Sequence, residues 1–420
     1  MRRFAWILVG LTAAAAFAPA QPLDKDAKQA ILDAIGRHVK VRAYASGVDF
    51  AKWDDLVAEH REDFSEVETQ EELAVAVNRA FDEFGLSHLR LLTPYASRVQ
   101  RTGQGVGIGI RARADEGGVR IVFVLPDSPA DKAGLKAGDL ITHKDGEPVL
   151  SPERLRGDKG TQVTLSLERQ DGSKIELTIT RRAFSTLVPD EMKWLDDKTV
   201  MIRVHSFARG YDRKQIDELF SDAVKADRMI LDLRANSGGQ TLNLFHLAGK
   251  VVAPGTPMGK FIMRNHADDF LKEHPEGGDD PVDVAAEFGF PIFATGGSNA
   301  QTFGGDLVVL ISGGSASASE IFAAMIQDQE RGKLVGVQTA GAVLASTFMP
   351  LPEKFSLQLP LMEYVTHGGR RLEGEGVKPD VLIERTLIAN DASAIKAALE
   401  VLDGGKKPAG AVGNPPPRAA

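Results

Sequence analysis

Two stretches of the 420-residue chain place small, hydroxyl-bearing and glycine residues directly after apolar runs. The first is the run LVVLI at 307–311, followed by SGGSASASEIFAAMIQD. It reads as a buried strand, a turn of small residues and a helix whose first turn carries Glu320. A serine in such a turn is exposed at the carboxyl edge of a sheet. It also lies beside the unpaired N–H groups and positive end of a helix. A nucleophilic hydroxyl there has oxyanion donors at hand, and one good donor is worth roughly a hundred- to a thousand-fold in rate. The same serines would also serve as helix caps, although one serine is enough for a cap. The second stretch is LDLRANSGG at 231–239. Here an apolar strand ends in a polar turn with two glycines, which lets backbone approach a substrate and offers further N–H donors. Alone, it is equally an ordinary strand-to-helix loop.

These turns need a sheet to carry them. Residues 184–403 alternate strands with helices, as in α/β layers. The apolar runs at 200–204, 229–233 and 307–311 suit a buried, largely parallel sheet. Residues 254–304 are rich in Gly, Pro and charge and are expected to form an insertion over the site. Residues 21–102 show helical spacing, for example at Leu73, Val75, Ala76, Ala80 and Phe81. Residues 103–183 turn to strands: GVGIGI, a strand near 120–125, a short helix from Ser128-Pro129, and two strands at 162–168 and 174–180 flanking Asp171-Gly172, a hairpin signal. Only 151–156 could be helical between Pro148 and Gly160. The fold class is therefore α/β and multi-domain: a helical N-terminal region, a mostly-β domain at 103–183 and an α/β core. The tail 404–420 has a disordered composition.

The glycine order, SPADKAGLKAGD and the final hairpin resemble a PDZ domain of bacterial proteases. Together with LDLRANSGG, SASASEIFAAMIQD and RLEGEGVKPDV, they make the chain similar to the C-terminal processing (tail-specific) serine peptidases over about 80–385. That resemblance implies a layered crotonase- or ClpP-like protease core and a protein or peptide substrate. It makes the middle serine, Ser317, the nucleophile. Ala318 N–H and a glycine N–H from Gly238 or Gly239 would form the oxyanion hole. Asp328 is implied to be structural, and Ser315 and Ser319 to be cap and packing residues. The turn Gly105, Val106, Gly107 and Ile108 would offer backbone donors to a peptide carboxylate. With so short a helix at 151–156, the PDZ-like domain is expected to gate or dock rather than grip.

One departure matters. The family usually pairs the serine with a lysine in GxxTxGKG; here the segment is Gly336-Val337-Gln338-Thr339-Ala340-Gly341-Ala342, and Ala342 cannot take a proton. Lys333 is out of register. A serine needs a base near neutral pH, and histidine suits the task. Of nine histidines, His88 in FGLSHLR falls where tricorn-type relatives carry one. Those relatives orient it with a glutamate, which points to Glu373, with Glu375 as competitor. His205, after the strand at 200–204, is the second choice for base. His246 reads as a packed residue.

The composition excludes much else. The net charge of −8 offers no basic field for nucleic acid. The absence of Cys removes disulfides and thiolate chemistry. No P-loop, dinucleotide fingerprint or metal constellation implies a cofactor or metal. The sequence around the serine is not GxSxG, which disfavours an α/β-hydrolase. A catalytically silent peptide-binding relative is the main alternative. Arg2-Arg3, an apolar stretch at 5–17 and Ala18-Pro19-Ala20 read as a signal peptide cleaved after Ala20, rather than an anchor. The chain is thus expected to be exported, periplasmic or extracellular, with no later membrane span.

Overall fold

The computed structural model describes residues 23–404 apart from 170 and 296–300. The expected signal peptide, and the expected tail apart from Gly404, lie outside these residues. Helices and sheets are mixed, as the α/β reading requires.

The central sheet has six strands. Its order is Glu191–Trp194, Thr199–Arg203, Arg228–Asp232, Asp306–Ile311, Lys333–Gly336 and Val381–Leu382. Only the first pairing is antiparallel. Alternation at period two divides the strands between two cores. One face (Val200, Ile202, Leu231, Val309) packs against helices Arg213–Ala223, Thr241–Ala248 and Ala318–Asp328. The other (Met201, Ile230, Val308, Leu310) is covered by helix Asp391–Leu402. Residues Ala318 to Ile326 are all buried, with Ser319 and Glu320 the polar members of an otherwise apolar span.

A second sheet runs Arg90–Leu92, Ser356–Thr366, Pro257–Met263 and Phe290–Phe293, with Ala345–Pro350 pairing the other side of the long strand. The segment 254–304, expected as an insertion, is instead built into this sheet through two of its strands. Period-two alternation is weak in Pro257–Met263, whose burial runs in pairs, so composition concealed it. The N-terminal helices Lys25–Arg42 and Gln70–Asp82 bury Ile31, Ile35, Leu73 and Val77 against Leu357 and Leu359 of the long strand. Helix Gln70–Asp82 starts with a capping box between Thr69 and Glu72. The N-terminal region thus shares a core with the second sheet instead of folding apart from it.

The PDZ-like region has its own core and sheet, Ile110–Asp115, Gly118–Val124, Leu140–Lys144, Gln162–Glu168 and Lys174–Thr180. Helix Pro129–Lys132 is capped by Ser128. Between Pro148 and Gly160 there is only the 3-10 turn Pro152–Leu155. A two-stranded ribbon, Gln104–Gly107 with Arg182–Ser185, flanks this region where it joins the rest.

Candidate active site

The turns 233–239 and 312–317 follow the carboxyl ends of two adjacent parallel strands, Arg228–Asp232 and Asp306–Ile311. That is where open α/β sheets bind ligands. Ser317 is the N-cap of helix Ala318–Asp328 and sits at φ 57°, ψ −119°. A non-glycine residue here carries strain of roughly 1–3 kcal/mol, and such strain clusters at functional sites.

Serines and an asparagine lash the two turns together. Ser315 Oγ donates to Leu233 O at 2.8 Å, and Ser319 Oγ to Asn236 O at 2.7 Å. Both are fully buried, so they join loops rather than cap the helix. Asn236, also fully buried, donates from Nδ2 to Val204 O and accepts Gly238 N–H at 2.9 Å. Gly238 has φ 91°, and a Cβ there would lie 2.6 Å from Ser317 Cβ and 3.0 Å from Ala318 N. Glycine is thus required for this approach. Its N–H is already committed to Asn236. Gly239 is exposed, and among the described residues neither its N–H nor that of Ala318 donates to another backbone or side-chain group.

His88 stands at φ 59° just before strand Arg90–Leu92, whose pairing with Ser356–Thr366 fixes the approach of this segment. Its Nδ1 lies 2.6 Å from Ser87 Oγ. Ser87 Oγ donates to Glu373 Oε2 at 3.0 Å, and Ser87 N–H to Glu373 Oε1 at 2.8 Å. A serine hydroxyl has one proton. Given to the carboxylate, it leaves Oγ to accept from His88 Nδ1–H, so the neutral ring keeps Nε2 bare. Glu373 therefore reaches the imidazole through Ser87 and not directly. Ser87 was missed in the sequence, where the only signal was a hydroxyl beside the histidine. Burial lowers the His88 pKa below its usual value, and the Glu373 charge opposes that shift.

Glu373 is buried, while its competitor Glu375 is exposed. The Glu373 carboxylate also accepts Val343 N–H at 2.7 Å and Leu344 N–H at 3.3 Å. The preceding residue, Ala342, accepts Ser317 N–H at 2.8 Å through its carbonyl. The strap 339–344 therefore touches the Ser317 turn and the Glu373–Ser87–His88 chain at neighbouring residues. Among the described residues no hydrogen bond joins Ser317 Oγ to His88; such contacts often tighten only with substrate.

The remaining candidates make other contacts, although His205 lies beside the Asn236–Gly238 loop, between Val204, whose carbonyl accepts from Asn236, and Ser206, whose hydroxyl donates to Gly238 O. His205 is placed by its backbone, donating to Asp190 Oδ1 at 2.8 Å, and its Nδ1 stays 3.8 Å from that carboxylate. His246 is buried between Tyr211 Oη and Asp217 Oδ1, and burial lowers its pKa. Asp328 accepts Gly368 N–H and an Arg370 guanidinium N–H, each at 2.8 Å, fixing the turn after Thr366. In the ribbon, Val106 N–H donates to Tyr95 Oη and Val106 O accepts its proton. Gly105 and Gly107 consequently face the partner strand. The expected carboxylate turn therefore has its N–H groups at 105–107 engaged, and Ile108 lies in the PDZ-like core. No described group of three or more His, Cys, Asp or Glu could hold a metal ion. No described helix is long and apolar enough to cross a membrane.

Residues 198–383 match peptidase family S41, and residues 120–169 match the PDZ domain. Along the chain, the stretch similar to S41 peptidases thus follows the stretch similar to a PDZ domain. It is 27% identical over 308 residues to a carboxy-terminal-processing protease of Bartonella bacilliformis, covering 68% of this chain and 63% of that one. It is also 27% identical over 286 residues to the carboxy-terminal processing protease CtpA of Bacillus subtilis, covering 66% and 56%. The match thus spans less than two thirds of either relative's length. Among solved structures, the photosystem II D1 C-terminal processing protease superposes with a TM-score of 0.57 at 20% identity, over 88% of this chain and 97% of that one. Mature CPAF complexed with lactacystin gives 0.55 at 14%, over 90% and 97%. These two likenesses show a shared fold.

Proposed function

We propose that the chain is an exported serine endopeptidase of the C-terminal processing type, cleaving proteins or peptides through an acyl-enzyme on Ser317. Ser317 Oγ attacks the scissile carbonyl carbon, and its proton passes to His88 Nε2. Ala318 and Gly239 N–H groups receive the oxyanion, while Gly238 provides the close approach and Asn236 holds its loop. The intermediate collapses by breaking the C–N bond, and the leaving amine takes the proton from His88. Water, deprotonated by the same nitrogen, then hydrolyses the ester and restores Ser317. Ser87 and Glu373 keep the tautomer and stabilise the imidazolium, in the manner of a triad's third member. General base assistance of this kind contributes roughly a hundred- to ten-thousand-fold.

The observation that carries this reading is the Glu373–Ser87–His88 chain. It supplies a bare imidazole nitrogen in a site whose lysine position is Ala342. The Ala342 substitution is also what favours the alternative, a silent peptide binder. Export rests on the sequence of residues 1–20 and on similarity to the processing proteases.

Labelling with a fluorophosphonate probe, alongside casein cleavage, decides between them. The wild type is expected to label and cleave, and Ser317→Ala and His88→Ala to do neither. Activity surviving in His88→Ala would transfer the base role to His205. An unlabelled wild type, across pH and with added peptides, would leave the binding protein.

A further inference from the structure

Glu320 is a buried carboxylate that the mechanism above does not use. It is fully buried, and among the described residues no cation pairs with it. A carboxylate so placed is costly unless donors surround it. Four do. Oε1 accepts Thr339 Oγ1–H at 2.6 Å and Gly341 N–H at 2.7 Å; Oε2 accepts Ala342 N–H at 2.9 Å and Ser317 N–H at 3.0 Å. Burial raises its pKa, and these four bonds oppose the rise.

The bonds close a small ring. Ser317 N–H is shared between Glu320 Oε2 and Ala342 O, while Ala342 N–H returns to the same Oε2. Thr339 Oγ1 also accepts Val377 N–H at 2.7 Å, and Gly374 N–H donates to Gly341 O at 2.8 Å. The carboxylate therefore holds the strap, and the strap in turn holds the segment bearing Glu373. Ala342 enters through its backbone, which needs no particular side chain.

We propose that Glu320 is a positioning residue: its carboxylate clamps the strap 339–342 to the N–H of Ser317, fixing both the strained serine backbone and its register against the Glu373–Ser87–His88 chain. This rests on Ser317 being the nucleophile. Glu320→Gln keeps the shape, but its amide nitrogen is a donor facing donors. Folded Glu320→Gln is expected to label with fluorophosphonate about tenfold or more slowly and to lower kcat by a similar factor, with KM within about twofold. Thr339→Val removes one donor from the clamp and is expected to slow labelling about threefold or more, should Glu320→Gln fail to fold. Wild-type labelling by either folded variant overturns the proposal. An inert wild type, or labelling that survives Ser317→Ala, refutes the nucleophile assignment instead. Hydrogen exchange then decides the clamp. Faster exchange at Gly341 and Ala342 in Glu320→Gln supports it, and unchanged exchange overturns it.

Discussion

Ser87→Ala isolates the bridge between Glu373 and His88 with little other disturbance. The substitution removes Oγ, and with it the 2.6 Å contact to His88 Nδ1 and the 3.0 Å bond to Glu373 Oε2. It leaves Ser87 N–H on Glu373 Oε1 at 2.8 Å, and Val343 and Leu344 N–H on Oε2, so the glutamate stays in place. What is lost is the path by which the carboxylate stabilises a charge on the imidazole and keeps the proton on Nδ1. A hydrogen bond to a charged group is worth about 1.5–3 kcal/mol net. At about 1.4 kcal/mol per decade, that is roughly a 10- to 150-fold fall in kcat/KM. Complete loss of tautomer control sets an upper bound near ten-thousand-fold. The assay is hydrolysis of a fluorogenic peptide, with probe labelling measured in parallel. The double variant Ser87→Ala, Glu373→Gln should cost less than the sum of the two single variants, because both break the one path to His88, while Glu373→Gln also disturbs the bonds from Val343 and Leu344 N–H. Wild-type kcat/KM in Ser87→Ala, or full additivity in the double variant, would refute the relay.

Burial holds His88 below its usual pKa of 6.5, and the rate requires the neutral ring, so the acid limb of kcat/KM should lie below pH 6.5. Glu373 pulls that pKa upward, so Glu373→Gln should move whatever limb remains to still lower pH; a limb moving upward would contradict the assignment. Gly238→Ala sets a Cβ 2.6 Å from Ser317 Cβ and 2.7 Å from Ala316 O, at a φ of 91°. It should cost about 2 kcal/mol or more of stability, read as a lower Tm. It should also slow labelling about a hundred-fold, and a variant as stable and reactive as wild type would show that the approach of the two loops is not needed.

Local signals carried part of this site. The apolar strands, the glycine pair and the serine-rich turn are contiguous, and so are the hairpin strands Gln162–Glu168 and Lys174–Thr180, which fall where Asp171-Gly172 demanded. The long-range pairings were not legible. Nothing periodic in residues 90–92 says that they pair with 356–358. Nothing in Glu320 distinguishes a first-turn helix glutamate from a carboxylate gathering four donors. At Gly105–Ile108 free donors were read from glycine spacing, whereas Tyr95 takes the Val106 N–H and Gly105 and Gly107 face the partner strand. Glu373 was found only through resemblance. Its burial, and the hydroxyl between it and the imidazole, depend on contacts 286 residues apart in sequence.

The pairing of Arg90–Leu92 with the strand Ser356–Thr366 has a consequence for synthesis. A chain leaving the ribosome exposes Ser87 and His88 early, and Ser317 much later. Glu373 and the long strand that seats the histidine segment come later still. The N-terminal helices cannot bury Ile31, Ile35 or Val77 against Leu357 and Leu359 until that strand exists. Closing so large a loop is a late, non-local event. A nascent chain therefore holds the Ser317 turn before the Glu373–Ser87–His88 contacts can form. Connectivity alone delays the contacts of Ser87 with Glu373, and the seating of the histidine segment, until residues 356–373 have been made.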